Sequence, residues 1–346
     1  ERAWLETLSI RRALQDPWSI GYSTRDLGYA AIAQGDLPRA RAYLAESLAL
    51  FEEIGAHGNS VFPLDALGVV ARIEGDYAQA TALHRRALAI SEEIRERRGQ
   101  ALCLYNLGYL AALQDDPAGA EELLRTALQI YADIGHRIGV GDASGRLGSV
   151  IGRDRDRLGE AAAHFSRALD SAGEIGAAPL ALDVLLGMAA VLGATHPRDE
   201  QEALRRSFLG LVAAHPASTH EMKRAAERLL GEASELAATA GQAELADAVT
   251  AARQQLEAWQ AGAVDSRSTI AEGQDSSLPD WLEPLTDRET EVLQLIEQGL
   301  SNREIAEQLV LTVGTVKWYT SQIYGKLGAQ NRSEAAHIAR QFGLLS

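Results

Sequence analysis

The sequence predicts an all-α protein: a solenoid of stacked helical hairpins, followed by a small four-helix unit. Three observations carry this. A signature recurs every forty residues through the first half of the chain. Alanine and leucine dominate while aromatics make up only 5%, a bias toward side chains that lose little rotamer freedom in a helix. Helix start signals then crowd the last sixty-five residues.

The repeat is read from Leu-Gly pairs at Leu27-Gly28, Leu67-Gly68, Leu107-Gly108, Leu147-Gly148 and Leu186-Gly187, in steps of 40, 40, 40 and 39. An Asp eight residues past each of the first four glycines marks a turn, at Asp36, Asp76, Asp116 and Asp156. Alanine follows at Ala40, Ala80 and Ala120, and one residue late at Ala161. Isoleucine closes each unit at Ile54, Ile94, Ile134 and Ile175. Each unit therefore reads as two amphipathic helices. Turns such as Gly35-Asp36 supply a C-terminal glycine for one helix and an N-cap for the next. Small residues at the Gly28 and Ala40 positions let the two helices cross closely. A single hairpin cannot bury its apolar face, so the units must stack.

This pattern resembles the tetratricopeptide repeat, through Leu-Gly in the first helix and Ala with a bulky residue four on (Ala40/Leu44, Ala120/Leu124, Ala161/Phe165). It departs from that family where Thr24 and Ala31 replace the usual tryptophan and tyrosine, and its units exceed the usual length of about 34 residues. The solenoid is expected over residues 1–260, with atypical capping helices from about 198. Glu1 to Gln15 reads as the second helix of an unfinished repeat and residue 1 is not Met, so more protein is expected upstream.

First helices of such arrays line a concave face. Counting from Leu-Gly, the groove positions are Tyr22, Arg25, Tyr29, Phe62, Asp65, Arg72, Tyr105, Tyr109 and Asp142. Aromatics beside isolated charges suit a peptide or small ligand. The alternative is that the rings simply pack between repeats.

Residues 261–284 are polar and lose the period, as a flexible linker does. Beyond them, Thr286 with Glu289 and Ser301 with Glu304 have capping-box spacing. Thr312 can cap a third helix, and Asn331 or Ser333 a fourth. Val292, Leu293 and Ile296, then Ile305, Ala306 and Leu309, supply the core. Along the third helix, steps of about 100° gather Val316, Tyr319, Thr320, Ile323 and Leu327 on one face. Gly314, Lys317, Trp318, Ser321, Gln322 and Gly325 fall on the other. An outward tryptophan beside lysine and amide-bearing residues suits a major groove.

Residues 285–346 resemble the LuxR-type helix-turn-helix domain, through LTDRETEVL at the opening, GLSNREIAEQL in the second helix, TVK (Thr315–Lys317) in the third, and KLG (Lys326–Gly328) with Arg332 near the end. The resemblance implies that Lys317, Trp318 and Ser321 face bases of double-stranded DNA. It implies that Asn302, Thr312, Thr315, Lys326 and Arg332 serve the DNA backbone, with Arg332 and the final helix bracing the domain and aiding pairing. Tyr319 and Thr320 depart from the family's common His and aliphatic residue. Thr320 falls on the inward face, where its hydroxyl is expected to bond the Val316 carbonyl. A solenoid before such a domain resembles the C-terminal part of the large ATP-binding LuxR-family regulators. No G-x-x-x-x-G-K-[ST] occurs in this chain.

The net charge is −15, which opposes nucleic acid as a general partner. The tail is different: Lys317, Lys326, Arg332 and Arg340 face Glu334 alone after Val313. One cysteine, Cys103, excludes an internal disulfide. The most apolar stretch, Ala177 to Ala194, carries Asp183 and reads as a buried helix. No secretion signal is evident, so a cytoplasmic protein is expected. The acidic pairs Glu52-Glu53, Glu92-Glu93 and Glu121-Glu122 recur with the repeat and mark a solvated face. His215 and His220 straddle Pro216 in a turn and do not suggest metal. No nucleophile motif or phosphate loop suggests catalysis.

The expected function is transcriptional regulation, with a small-molecule or protein effector on the solenoid and self-association on DNA. No enzyme activity, metal, cofactor or membrane partner is expected. The alternative is a scaffold whose C-terminal unit docks protein.

Overall fold

The computed structural model describes residues 2–194, 199–231, 244–271, 285, 287–298 and 300–309, and ten positions between Val316 and Ala335. It divides into two units, Glu1–Ser268 and Thr269–Ser346. Every regular element among the described residues is helical.

In the first unit, α1 (Arg2–Ala13) precedes four hairpins: α2 (Pro17–Gln34) with α3 (Leu37–Glu53), α4 (Val61–Glu74) with α5 (Tyr77–Glu93), α6 (Arg97–Leu113) with α7 (Pro117–Asp133), and α8 (Arg137–Ile151) with α9 (Leu158–Ile175). The turn chemistry is the one the repeat specifies. Gly35 and Gly75 adopt left-handed conformations, with φ of 80° and 89°. Asp36, Asp76 and Asp116 then accept from the backbone N–H three residues on, at 3.2, 2.9 and 2.9 Å. The fourth hairpin differs. Asp156 sits in an inserted 3-10 turn, Arg155–Arg157, and does not cap α9, so Ala161 falls one residue late.

The hairpins close through a knob and a hole. A Cβ at Gly28 would stand 2.6 Å from Leu44, one at Gly108 2.8 Å from Leu124, and one at Gly148 2.9 Å from Phe165. Ala40, Ala80, Ala120 and Ala161 are fully buried beside them. Successive first helices touch along the array, α2 on α4, α4 on α6, α6 on α8 and α8 on α10. They form the inner layer. On the outside, arginines reach acids one repeat away, as in Arg86–Glu52 at 2.7 Å and Arg157–Glu121 at 2.8 Å. Exposed pairs of this kind contribute about 0–1 kcal/mol each.

Helix α10 (Ala178–Ala194) is the buried helix its composition predicts, with Leu182, Leu185, Met188 and Leu192 fully enclosed. No described helix is long and apolar enough to cross a membrane. Next come α11 (Asp199–Ala214), α12 (His220–Leu230) and α13 (Leu245–Ala271). Helix α13 continues well into the stretch expected to be a linker. Residues 261–271 contain no proline and carry alanine, valine and isoleucine, so nothing in them stops a helix. The rest of that stretch, 272–284, lies outside the described residues.

The second unit holds α14 (Asp287–Glu297) and α15 (Asn302–Gln308). Ser301 and Glu304 form the expected capping box: the Ser301 N–H donates to Glu304 at 2.6 Å and the Glu304 N–H to the Ser301 hydroxyl at 3.4 Å. Val292, Leu293, Ile296, Ile305 and Ala306 are buried as predicted, joined by Val316, Ile323, Leu327 and Ala335.

Candidate nucleic-acid interface and solenoid clefts

In the C-terminal unit, the third segment turns inward the face its spacing predicts. Val316, Ile323 and Leu327 are fully buried, Thr320 is buried and Tyr319 half-buried. The Thr320 hydroxyl donates to the Val316 carbonyl at 2.7 Å, as expected. Lys317, Trp318 and Ser321, with Thr312 and Thr315, lie outside the described residues.

The three other candidates take part in internal contacts. Lys326 Nζ lies 2.7 Å from Glu289 Oε2, and that carboxylate is only 5% exposed. Glu289 was expected to complete a capping box with Thr286, which lies outside the described residues. Arg332 donates to the Leu300 carbonyl, to the Ile296 carbonyl at 3.3 Å and to the Asn302 side-chain oxygen at 3.4 Å. A guanidinium on the last carbonyls of α14 satisfies groups a helix end leaves open. Arg332 thus ties α14 to the start of α15.

The solenoid's inner layer carries two adjoining clefts. One, of about 520 Å³, takes Arg25, Tyr29, Phe62, Asp65 and Asp142 from the predicted groove, with Arg98, Asn106 and His136 added. The guanidinium carbons of Arg98 and Arg25 lie 5.5 and 6.0 Å from the Phe62 ring centre. The other, of about 320 Å³, takes Arg72, Tyr105, Tyr109 and again Asp142, with Arg146, Asp183 and Glu221 added. Two arginines approach the Tyr109 ring, with the guanidinium carbons of Arg146 at 3.8 Å and Arg72 at 4.4 Å from its centre. Tyr22 lines neither cleft: it packs edge-on against Phe51 of its own hairpin at 5.2 Å, with the Arg25 guanidinium carbon 4.9 Å from its ring centre.

Asp65 differs from an accessible groove carboxylate. It is 2% exposed, lies 2.7 Å from His84 Nδ1 and accepts 3.0 Å bonds from the Asn106 amide at both oxygens. His84 occupies the knob position that Leu44, Leu124 and Phe165 fill in the other hairpins, and its Nε2 is buried without a partner. A polar residue at that register was the signal for this cluster. Asp142 is crowded differently. Burial and the neighbouring Asp183 carboxylate push it up to about 7, against the pull of Arg146. Cys103 is fully buried and its thiol is pushed up by burial and by Asp65, which removes nucleophilic character. No group of metal-ligating side chains assembles among the described residues.

Comparison with known proteins agrees with both halves. Residues 283–339 match the bacterial regulatory proteins of the luxR family, and residues 19–93 and 61–133 match the tetratricopeptide repeat. The chain is 40% identical over 119 residues to the transcriptional regulatory protein LiaR of Bacillus subtilis, covering 34% of this chain and 54% of that protein. It is 46% identical over 66 residues to LnrK of the same organism, covering 19% and 30%. It is also 46% identical over 59 residues to the response regulator Rre1 of Synechocystis, covering 17% and 26%. The chain thus spans about half or less of these relatives' length. Its C-terminal segment is a LuxR-family helix-turn-helix domain, and tetratricopeptide repeats precede it in the chain.

Proposed function

We propose that the chain is a sequence-specific DNA-binding transcriptional regulator, with its solenoid as the sensing module. The observation that carries this is the luxR-family match over residues 283–339, supported by the inward set Val316, Thr320, Ile323 and Leu327. Helical spacing from that set assigns Lys317, Trp318 and Ser321 to the opposite side, where they read bases in a major groove. Thr312, Thr315 and Asn302 hold the DNA backbone. Lys326 and Arg332 hold the helices that present these groups, and add positive charge near the phosphates.

One such unit has few cations, so a single copy binds weakly. Pairing of two chains places two reading helices on neighbouring half-sites and raises affinity through effective concentration. The solenoid controls that pairing by taking an effector or partner protein into its inner clefts.

DNA affinity of the full chain should fall linearly with the logarithm of salt concentration. Lys317→Ala should weaken binding and make that slope shallower by about one. DNA binding that ignores both salt and Lys317 would move the C-terminal unit to a protein-docking role.

A further inference from the structure

The second cleft is already engaged by a segment of the same chain. Helix α12 packs on α10 and α11 and reaches across the inner layer to α2, where its first residue, His220, sits over the Gly35 turn. The next residue, Glu221, meets Arg72 from α4, 149 positions earlier. Its two oxygens lie 2.5 and 3.0 Å from the two terminal guanidinium nitrogens, in a two-pronged fork. Arg72 is 7% exposed, and its Nε is buried without a partner. Tyr109 and Arg146 stand directly behind it. Burial alone would push the Glu221 carboxyl up, but the Arg72 fork, its charge and that of Arg146 hold it below the usual carboxylate range.

Ala226 is the one fully buried side chain of α12, with Met222, Leu229 and Leu230 half-buried against the core, whereas α10 buries ten residues. Helices with few enclosed apolar groups open at lower free energy than the body they dock on. The two clefts set Arg25, Arg72, Arg98 and Arg146 among Asp26, Asp65, Asp142 and Asp183; Arg25 pairs with Asp26 and Arg146 with Asp183, whereas Arg72 turns its fork to Glu221. A planar guanidinium fork against an aromatic face selects carboxylates.

We propose that the Arg72–Tyr109–Arg146 cleft is a recognition site for an amphipathic helix with a glutamate in its first turn, and that α12 is its resident stand-in, displaced when such a partner arrives. This rests on the reading of the solenoid as a sensor and names the chemistry it senses. The effector carries what Glu221 supplies, a carboxylate that Arg72 binds at two points, and trades places with α12 on the same surface.

The probe is a fluorescent peptide of residues Ser218–Gly231, titrated into the full chain and followed by anisotropy. In the unaltered chain the tethered helix competes at high effective concentration, so the peptide should bind weakly. Glu221→Gln should release the tethered helix and tighten peptide binding at least tenfold. A peptide carrying glutamine at position 221 should lose that gain, as should the double variant Glu221→Gln with Arg72→Gln. Equal peptide binding by the unaltered chain and Glu221→Gln would overturn the proposal. Hydrogen exchange of the unaltered chain gives a second test that needs no variant. The α12 amides should exchange at least tenfold faster than those of α10, and equal protection would mark α12 as a permanent part of the solenoid. DNA binding of each variant is measured separately. Peptide failure with DNA binding intact overturns this inference alone, and loss of DNA binding by the unaltered chain overturns the regulator reading.

Discussion

At the scale of single residues, the polar groups between the repeats do the most specific work. His84, Asp65 and Asn106 come from three successive helices, α5, α4 and α6, and bond one another where the neighbouring hairpins use hydrocarbon. Losing one partner of a buried hydrogen bond costs about 1–3 kcal/mol, and Asp65 keeps its two bonds from Asn106. His84→Ala should therefore lower the urea-unfolding free energy by about 1–3 kcal/mol. A loss under about 1 kcal/mol, as for an exposed pair, would contradict the burial seen here. Asp142 gives a pH signature. Its pKa is raised on folding, so its contribution favours the native state while it is protonated. That contribution is full below the ordinary aspartate value and is lost as pH rises toward about 7. Asp142→Asn should match the unaltered chain's melting temperature near pH 4 and exceed it by a few degrees at pH 8. Parallel curves would contradict it. These residues also show where sequence reading stops. The repeat register located Arg25, Arg72, Tyr105, Tyr109 and Asp142 on the inner layer, because period alone places them. It could not supply Glu221, which comes from a helix outside the repeats and meets Arg72 only through tertiary folding.

At the scale of elements, local rules and packing agree closely. The hairpin turns follow from Gly-Asp chemistry, and the helix crossings from small residues facing large ones. Gly108→Ala tests the crossing of α6 on α7. The new methyl would stand 2.8 Å from Leu124 and 3.2 Å from the Ala120 carbonyl oxygen, so the helices must separate. Overpacking of this kind costs about 1–3 kcal/mol, to be read by thermal melting of the full chain. A stabilised variant, as expected for glycine replaced in a roomy helix, would contradict the close crossing. Three turns break the glycine rule yet keep its geometry. Gln15, Arg95 and Asp115 hold φ of 52°, 57° and 62° where other repeats place glycine. The same backbone bonds close such turns whatever the residue, as where the Glu96 N–H donates to the Ser91 carbonyl at 2.8 Å and the Asp116 N–H to the Ala111 carbonyl at 3.0 Å. The end of α13 was the least legible feature, since polar serines and threonines lower helix propensity without forbidding helix.

At the scale of the whole molecule, charge is divided between the parts. The chain carries 48 acidic against 33 basic residues, yet residues 281–346 hold eight acidic and six basic, with the basic ones weighted toward the end. An acidic array suits a module that must avoid nucleic acid, while the C-terminal unit approaches it. The inward face of that unit was legible because Val316, Ile323 and Leu327 repeat at helical spacing and the core leaves them one place to go. The central claim, that the opposite face reads DNA sequence, is tested most directly by selecting binding sites for the full chain from a random duplex pool, with Lys317→Ala in parallel. The account predicts enrichment of a short paired motif that the variant fails to enrich. No enrichment by a chain shown to be folded would contradict it, and would leave the C-terminal unit as a surface for protein instead.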